Sequence, residues 1–364
     1  RQNHPLLAQL ALLGGVVLAC VDDRDSQRDL LGARRVGIFV VDPNLPTVLD
    51  RLSLGPTEHE LGWQVHVLAR TTSRMSETAD LPLTVHTGDI TDPDSLRQAI
   101  PRNADAVFHV AASTNFWSRR NRQQTRINAD GTANMIDAAI AAGAGRFIHT
   151  SSFVTWGFPG GEFNEESERS TRWDWINYVR TKHLAEEYVL GAVDEGHLDA
   201  VVLNPANVLG PGDWHNWSRL FRILNRGKLP ASPPGGGSFC DVREVAAAHI
   251  RAVSDGRSGE KYLLGGNFAR IADVIKLAGK YIGCKVPSTV PPAWLFRLAA
   301  QFTAPLAGLT GNEPDITPES AAMASCDIRC DSSKAEKELD YRAVPVDEMV
   351  RDTVEWMEKK GLLK

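Results

Sequence analysis

At 364 residues, with 43% hydrophobic and 23% charged side chains, the chain can hold one large α/β domain or two smaller ones around an ample core. Its net charge of −5 excludes the basic excess of a nucleic-acid binder, and no block of like charge marks a disordered tail. Five cysteines (Cys20, Cys240, Cys284, Cys326 and Cys330) are an odd number without zinc-like pairing, which fits reduced thiols in a cytoplasmic protein and no metal site.

The chain opens on an apolar stretch, PLLAQLALLGGVVLAC, interrupted by Gln9. It reads as a buried helix or strand; a secretory signal or short membrane anchor is the alternative, although it falls short of a bilayer span of about 20 residues. From residue 36 onward, short β-branched runs alternate with helical stretches. RVGIFVV (35–41), WQVHVLAR (63–70), LTVHTGDI (83–90), AVFHVAA (106–112), RFIHTSS (146–152) and DAVVLNPANVLG (199–210) read as strands. DSLRQAI (94–100) and NADGTANMIDAAIAAG (128–143) read as helices between them. Strands this apolar, separated by helices, predict an α/β fold with a parallel sheet covered on both faces. Ligands then bind beyond the carboxyl ends of the strands.

After residue 210 the pattern loosens into Gly/Pro-rich loops, GPGDWHNW and LPASPPGGGSF. A strand end and helix follow at 239–254, a short strand at 259–266 and a helix at 271–283. The stretch 291–311 reads as an amphipathic helix, and 331–363 as two helices around a turn. The expected division is an N-terminal extension (1–35), a sheet domain (36–210 plus about 238–268), and a smaller substrate-binding part (211–237 and 269–364).

INYVRTKHLAEEYV (176–189) carries the chemistry. Tyr178 and Lys182 are four residues apart in a predicted helix, hence on one face. A tyrosine of ordinary pKa near 10 is a poor base at neutral pH, and a cation one turn away favours the phenolate. Ser152, at the end of a predicted strand, can hold a substrate oxygen; Ser151 is the neighbour that should face away. The spacing alone is weak, since ordinary helices contain Tyr-x-x-x-Lys by accident. His109 and His149 read as core histidines, and Asp241 and Glu244 as structural groups at a helix start.

Taken in order, VFHVAAS, NADGTANMIDAA, RFIHTSS, YVRTK and LNPANVLGPGD resemble the extended short-chain dehydrogenases/reductases, nearest to the branch of dihydroflavonol reductases, 3β-hydroxysteroid dehydrogenases and NAD-dependent epimerases. The resemblance spans roughly residues 63–364 and implies a Rossmann-type doubly wound sheet. It implies Ser152, Tyr178 and Lys182 as the catalytic set, supported by Asn128. It places Asp89 and Ile90 at the adenine, Val110, Ala111 and Ala112 along the cofactor, Pro205 and Val208 near the nicotinamide, and Lys182 on its ribose. Arg70 ends the second strand, where an arginine suits a ribose 2′-phosphate, so NADP is expected over NAD. Phe116, Trp117, Trp175 and Trp214, with Trp173 and Trp217, would surround a bulky apolar ketone or alcohol of flavonoid, steroid or terpenoid type. A nucleotide-sugar epimerase or dehydratase with bound NAD is the alternative, to which Arg219 and Arg222 would contribute. Homodimers are common in such a family, and a membrane partner is not expected.

One element of the pattern is missing. The glycine-rich G-x-x-G-x-x-G loop should fall near residues 42–48, where Asp42, Pro43, Asn44, Leu45 and Pro46 stand instead. Prolines remove the N–H donors a pyrophosphate needs, and Asp42 would repel it. Residues 1–62 do not resemble the family. They are an altered start, a divergence that weakens cofactor binding, or an unrelated way of holding phosphate. The second case leaves room for a non-enzymatic binding protein on the same scaffold.

Overall fold

A computed structural model describes residues 16–21, 35–40, 64–73, 83–310, 314 and 316–363, the backbone alone for 16–21, 35–40 and 303–310. Strands β1 (Val16–Val21) and β2 (Arg35–Val40) pair antiparallel. β3 (Val65–Ala69) and β4 (Leu83–Thr87) pair parallel. Helix α1 (Pro93–Ala99), capped by Asp92, leads to β5 (Ala104–His109). Helices α2 (Asn121–Thr125) and α3 (Gly131–Ala142), β6 (Phe147–Thr150), β7 (Glu162–Phe163), α4 (Asn177–Asp194), β8 (Ala200–Pro205) and β9 (Asn207–Leu209) follow.

Next come α5 (Trp217–Asn225), β10 (Gly236–Asp241) and α6 (Val242–Ser254), and β11 (Lys261–Leu264) completes the main sheet, whose strand order is β11-β8-β6-β5-β1-β2. β5, β6, β8 and β11 are parallel. The rest comprises β12 (Asn267–Arg270), α7 (Ile271–Ile282), α8 (Ala293–Thr310), α9 (Pro318–Met323), β13 (Asp327–Cys330), α10 (Ser333–Leu339) and α11 (Val346–Lys359). A second sheet runs β12-β10-β13-β7, with β9 beside β10.

The central strands are apolar on both faces because both faces are covered. Val107, Phe147, Ala200 and Val202 pack with Met135 and Ala139 of α3 and Val189 of α4. Phe108, Ile148, Val201 and Leu203 pack with Val245, Ala246 and Ala248 of α6. Burying each large side chain contributes about 1.5–3 kcal/mol, the main force fixing this layered arrangement. Gly131 lets α3 approach the loop after β4: a Cβ there would lie 2.8 Å from Ile90 Cδ1.

The parallel-sheet expectation holds for the core but not at the N-terminal side. RVGIFVV does form a strand, yet it is not the neighbour of β5. β1 lies between them, antiparallel to both, so β2 runs in the direction of β5 one place further out. With that ribbon seated beside β5, β3 and β4 hydrogen-bond to each other and not to the main sheet, although β2 lies against β3. The N-terminal apolar stretch is a strand from Val16 onward; its earlier part and the expected glycine-loop position, 42–48, lie outside the described residues. Among the described residues, no helix is long and apolar enough to cross a membrane, none of the His/Cys/Asp/Glu groupings could hold a metal ion, and Cys240, Cys284, Cys326 and Cys330 are free. Asp241 caps α6 by accepting from the Arg243 N–H at 2.7 Å, as its position at a helix start predicts.

Candidate active site

β6 ends at Thr150 and α4 begins at Asn177, and the two elements bring Ser152, Tyr178 and Lys182 together at the carboxyl edge of the sheet. Ser152 is extended backbone opening a short 3₁₀ turn, Phe153–Trp156, whose close is enforced by Gly157 at φ +64. A side chain at Gly157 would strike the Ser170 carbonyl oxygen, so only glycine fits there. The Ser152 hydroxyl is near enough to the Tyr178 phenol to draw its pKa down against burial. The neighbouring Ser151 has its Oγ buried without a hydrogen-bond partner.

Lys182 is 3% exposed, and its Nζ donates to the Thr150 carbonyl oxygen at 2.7 Å. Burial pushes its pKa down to about 8, against the pull of Glu186 one turn along α4. The expectation that Lys182 lowers the phenol pKa is not met. Burial raises the Tyr178 pKa, and the opposing group is Ser152, because the ammonium is directed at the strand carbonyl and not at the phenol. The phenol is therefore held protonated at neutral pH.

Asn128 sits in a single π-helical turn, Arg126–Asp130, between α2 and α3. Such a turn is a common device for re-aiming a side chain at a functional site. Asn128 Oδ1 accepts from the Ser113 N–H at 2.6 Å, and its Nδ2 donates to the Ser113 carbonyl at 3.0 Å and to Thr181 Oγ1 at 3.1 Å. It thus ties the loop after β5 to the residue preceding Lys182 without reaching the phenol. Gln124, which carries no sequence signal, reinforces that loop by donating to the carbonyls of Ser113 and Asn115.

Behind this candidate site, Glu186 continues the i, i+4 series of Tyr178 and Lys182 and is 2% exposed. Its carboxylate accepts from Thr155 Oγ1 at 3.1 Å and from Asn204 Nδ2, and Lys261 Nζ lies 3.7 Å away. Asn204 Nδ2 also donates to the Ser152 carbonyl at 3.1 Å. A buried carboxylate thus braces the turn that carries Ser152. Beneath Lys182 lie His109, His149 and His249, all buried. Burial, reinforced by the Lys182 charge on the first two, holds them neutral: His109 near 3, His249 near 4, and His149 well below its ordinary value.

Of the expected substrate aromatics, Phe116 alone is brought to the phenol. Its ring meets Tyr178 edge-on at 5.3 Å and lines a cavity of about 160 Å³ with Phe153, Asn207, Trp217, Ile271, Met323 and Ile328. Trp117 is instead packed beneath the guanidinium groups of Arg119 and Arg120. Trp175 stands 54% exposed against Trp173, and Trp214 packs edge-on against Trp356 in the C-terminal core. These three do not line the cavity because their loops turn them onto neighbouring aromatic or cationic groups. Phe153, Met323 and Ile328 had no motif to announce them; Phe153 merely follows Ser152.

Of the expected cofactor residues, Arg70 and Asp89 face each other after β3 and β4, Nη1 to Oδ2 3.7 Å. Ile90 turns its side chain into the core, 2% exposed, and its carbonyl accepts from Asn134 Nδ2, so its side chain is closed to a ligand. Val110 and Ala111 are buried beyond β5, with Ala112 partly open. Pro205 is buried at the end of β8 and Val208 is partly open in β9.

The family model for the NAD dependent epimerase/dehydratase family matches residues 57–265. A Synechocystis sp. protein, named provisionally as a dihydroflavonol 4-reductase, is 30% identical over 314 residues, 84% of this chain and 90% of its own. Sterol demethylase protein B of Methylococcus capsulatus is 27% identical over 83% of this chain and 93% of its own. The crystal structure of gox2253 is 31% identical with a TM-score of 0.71, covering 85% of this chain and 94% of that one. On this evidence the chain belongs to the NAD dependent epimerase/dehydratase family, as an enzyme of the extended short-chain dehydrogenase/reductase type.

Proposed function

We propose that this chain is an NADP(H)-dependent oxidoreductase that interconverts a ketone and a secondary alcohol on a bulky apolar substrate, with Tyr178 as the proton carrier. The observation that carries this reading is the edge-on contact, 5.3 Å between ring centroids, that joins the Tyr178 phenol to Phe116 in the wall of the apolar cavity, with Ser152 beside the phenol. The names of relatives, a dihydroflavonol 4-reductase, a sterol demethylase protein and a 3β-hydroxysteroid-dehydrogenase/decarboxylase, support substrates with fused or linked rings.

The described residues fit the nicotinamide end of such a cofactor. Lys182 has three N–H donors and spends one on Thr150, leaving donors for ribose hydroxyls at the strand edge. Arg70 suits a 2′-phosphate at the other end. The bound nicotinamide would supply or accept the hydride. Ser152 donates to the substrate oxygen, Tyr178 gives its proton to that oxygen as the ketone is reduced, and Phe116 keeps water from the phenol. The cavity takes the end of the substrate that carries the carbonyl.

Titration of the purified chain with NADPH and NADH, followed by cofactor fluorescence, tests the first half of this reading. Micromolar NADPH binding with weaker NADH binding is expected; no binding of either overturns it. A screen of cyclic ketones with Tyr178→Phe as control tests the second half, and unchanged turnover in that variant would sink it.

A further inference from the structure

A second cavity, about 210 Å³, shares Ile328 with the first. Phe158, Phe163 and Trp173 give it aromatic walls, and Arg172 and Arg297 bring two guanidinium groups. Their Cζ atoms lie 5.4 and 5.5 Å from the Trp173 ring centroid. Both also act on one thiol: each draws the Cys326 pKa down against burial, and Arg297 Nη2 sits 3.7 Å from Cys326 Sγ.

Neither arginine has a carboxylate partner among the described residues. The acid in the lining, Asp327, is engaged by Arg270 at 2.7 Å. Arg297 Nε is buried with no hydrogen-bond partner, and its Nη2 has only a thiol, a weak acceptor. Arg172 is exposed to solvent, but the buried Arg297 donor left unsatisfied is costly, and a second cation at the mouth of the same cavity adds to that cost. An oxyanion would relieve both, because the planar guanidinium fork binds carboxylate or phosphate through paired charge-assisted hydrogen bonds.

We infer that this cavity is an oxyanion subsite, taking a carboxylate or phosphate borne on an aromatic body, with the acid between Arg172 and Arg297 and the ring against Trp173. Its volume is below the roughly 300–1,000 Å³ of a pocket for a drug-sized ligand, so it suits a single ring with one acid group. The inference concerns binding and stands apart from the oxidoreductase reading.

Calorimetric titration of the full chain with phenyl phosphate, benzoate and inorganic phosphate tests it. Saturable binding of phenyl phosphate or benzoate is expected, weakened tenfold or more in Arg297→Gln and several-fold in Arg172→Gln, both variants melting like the parent. Equal affinity for inorganic phosphate would support the site with a free anion as its source; much weaker binding of inorganic phosphate would assign the acid to an aromatic ligand. No saturable heat with any probe, undiminished binding in both variants, or stoichiometric displacement of the probe by NADPH would overturn it.

Discussion

Lys182 Nζ donates to the Thr150 carbonyl oxygen at 2.7 Å, pinning α4 to the end of β6 through a buried cation. Burial pushes its pKa down from an ordinary 10.5 to about 8, a cost of about 3 kcal/mol at neutral pH. Losing the hydrogen bond would return about 1 kcal/mol of that. Lys182→Met is therefore expected to raise stability by roughly 2 kcal/mol at pH 7. The folded pKa is depressed, so the cost is fully present below about 8 and is relieved as pH rises toward the unfolded value. The gain should thus shrink at pH 10. Urea unfolding at both pH values checks this, and a less stable variant at pH 7 contradicts it.

Glu186 is the acceptor that holds Thr155 and Asn204, and through Asn204 the Ser152 carbonyl. Glu186→Leu leaves Asn204 Nδ2 and Lys261 without it and should cost roughly 3 kcal/mol. Glu186→Gln keeps an acceptor oxygen and should cost less than half as much. Equal unfolding midpoints for the two variants would show that the brace is dispensable.

The buried histidines set the acid limit of the fold. His109 near 3 and His249 near 4 are depressed from 6.5, so the unfolded chain binds more protons below pH 6.5 and stability is lost as pH falls through that range. Each should cost about 2 kcal/mol by pH 5. Urea midpoints at pH 7 and 5 measure the loss. A midpoint independent of pH over that range would mean that the histidines are not buried neutral.

Because burial keeps the Tyr178 phenol protonated, ketone reduction should be flat with pH through neutrality and fall only above the ordinary phenol pKa of about 10. A pH–rate profile for a carbonyl substrate found by screening tests this. A decline beginning near pH 7 would mean that Lys182 does favour the phenolate once the cofactor is in place.

Arg70, facing Asp89, is the group we propose for a 2′-phosphate. Arg70→Ala should lower NADPH affinity about tenfold while leaving NADH affinity within twofold, since one charge-assisted contact is worth about 1.5 kcal/mol. Parallel fluorescence titrations separate the two. An equal loss for both cofactors would make Arg70 structural.

The sequence by itself determined the α/β class, strands β3 to β6, β8 and β11 with the main helices between them, and the shared helix face of Tyr178 and Lys182, by local rules of hydrophobic period and helical spacing. Family resemblance, not spacing, added Ser152 to that pair, and β7, β12, β13, α2, α5 and α9 are too short or too loop-like in composition to be legible. Tertiary structure alone decided where the lysine ammonium points, because the carbonyl of Thr150 reaches it from 32 residues earlier in the chain. It alone selected Phe116 and Trp217 from the loop aromatics, since Trp117, Trp175 and Trp214 each found a ring or guanidinium no periodicity predicts. It also placed β1 between β2 and β5, where strand propensity could propose a strand but not its neighbours. Pairing partners and side-chain direction are set by which distant surfaces meet, and that information is spread over the whole chain.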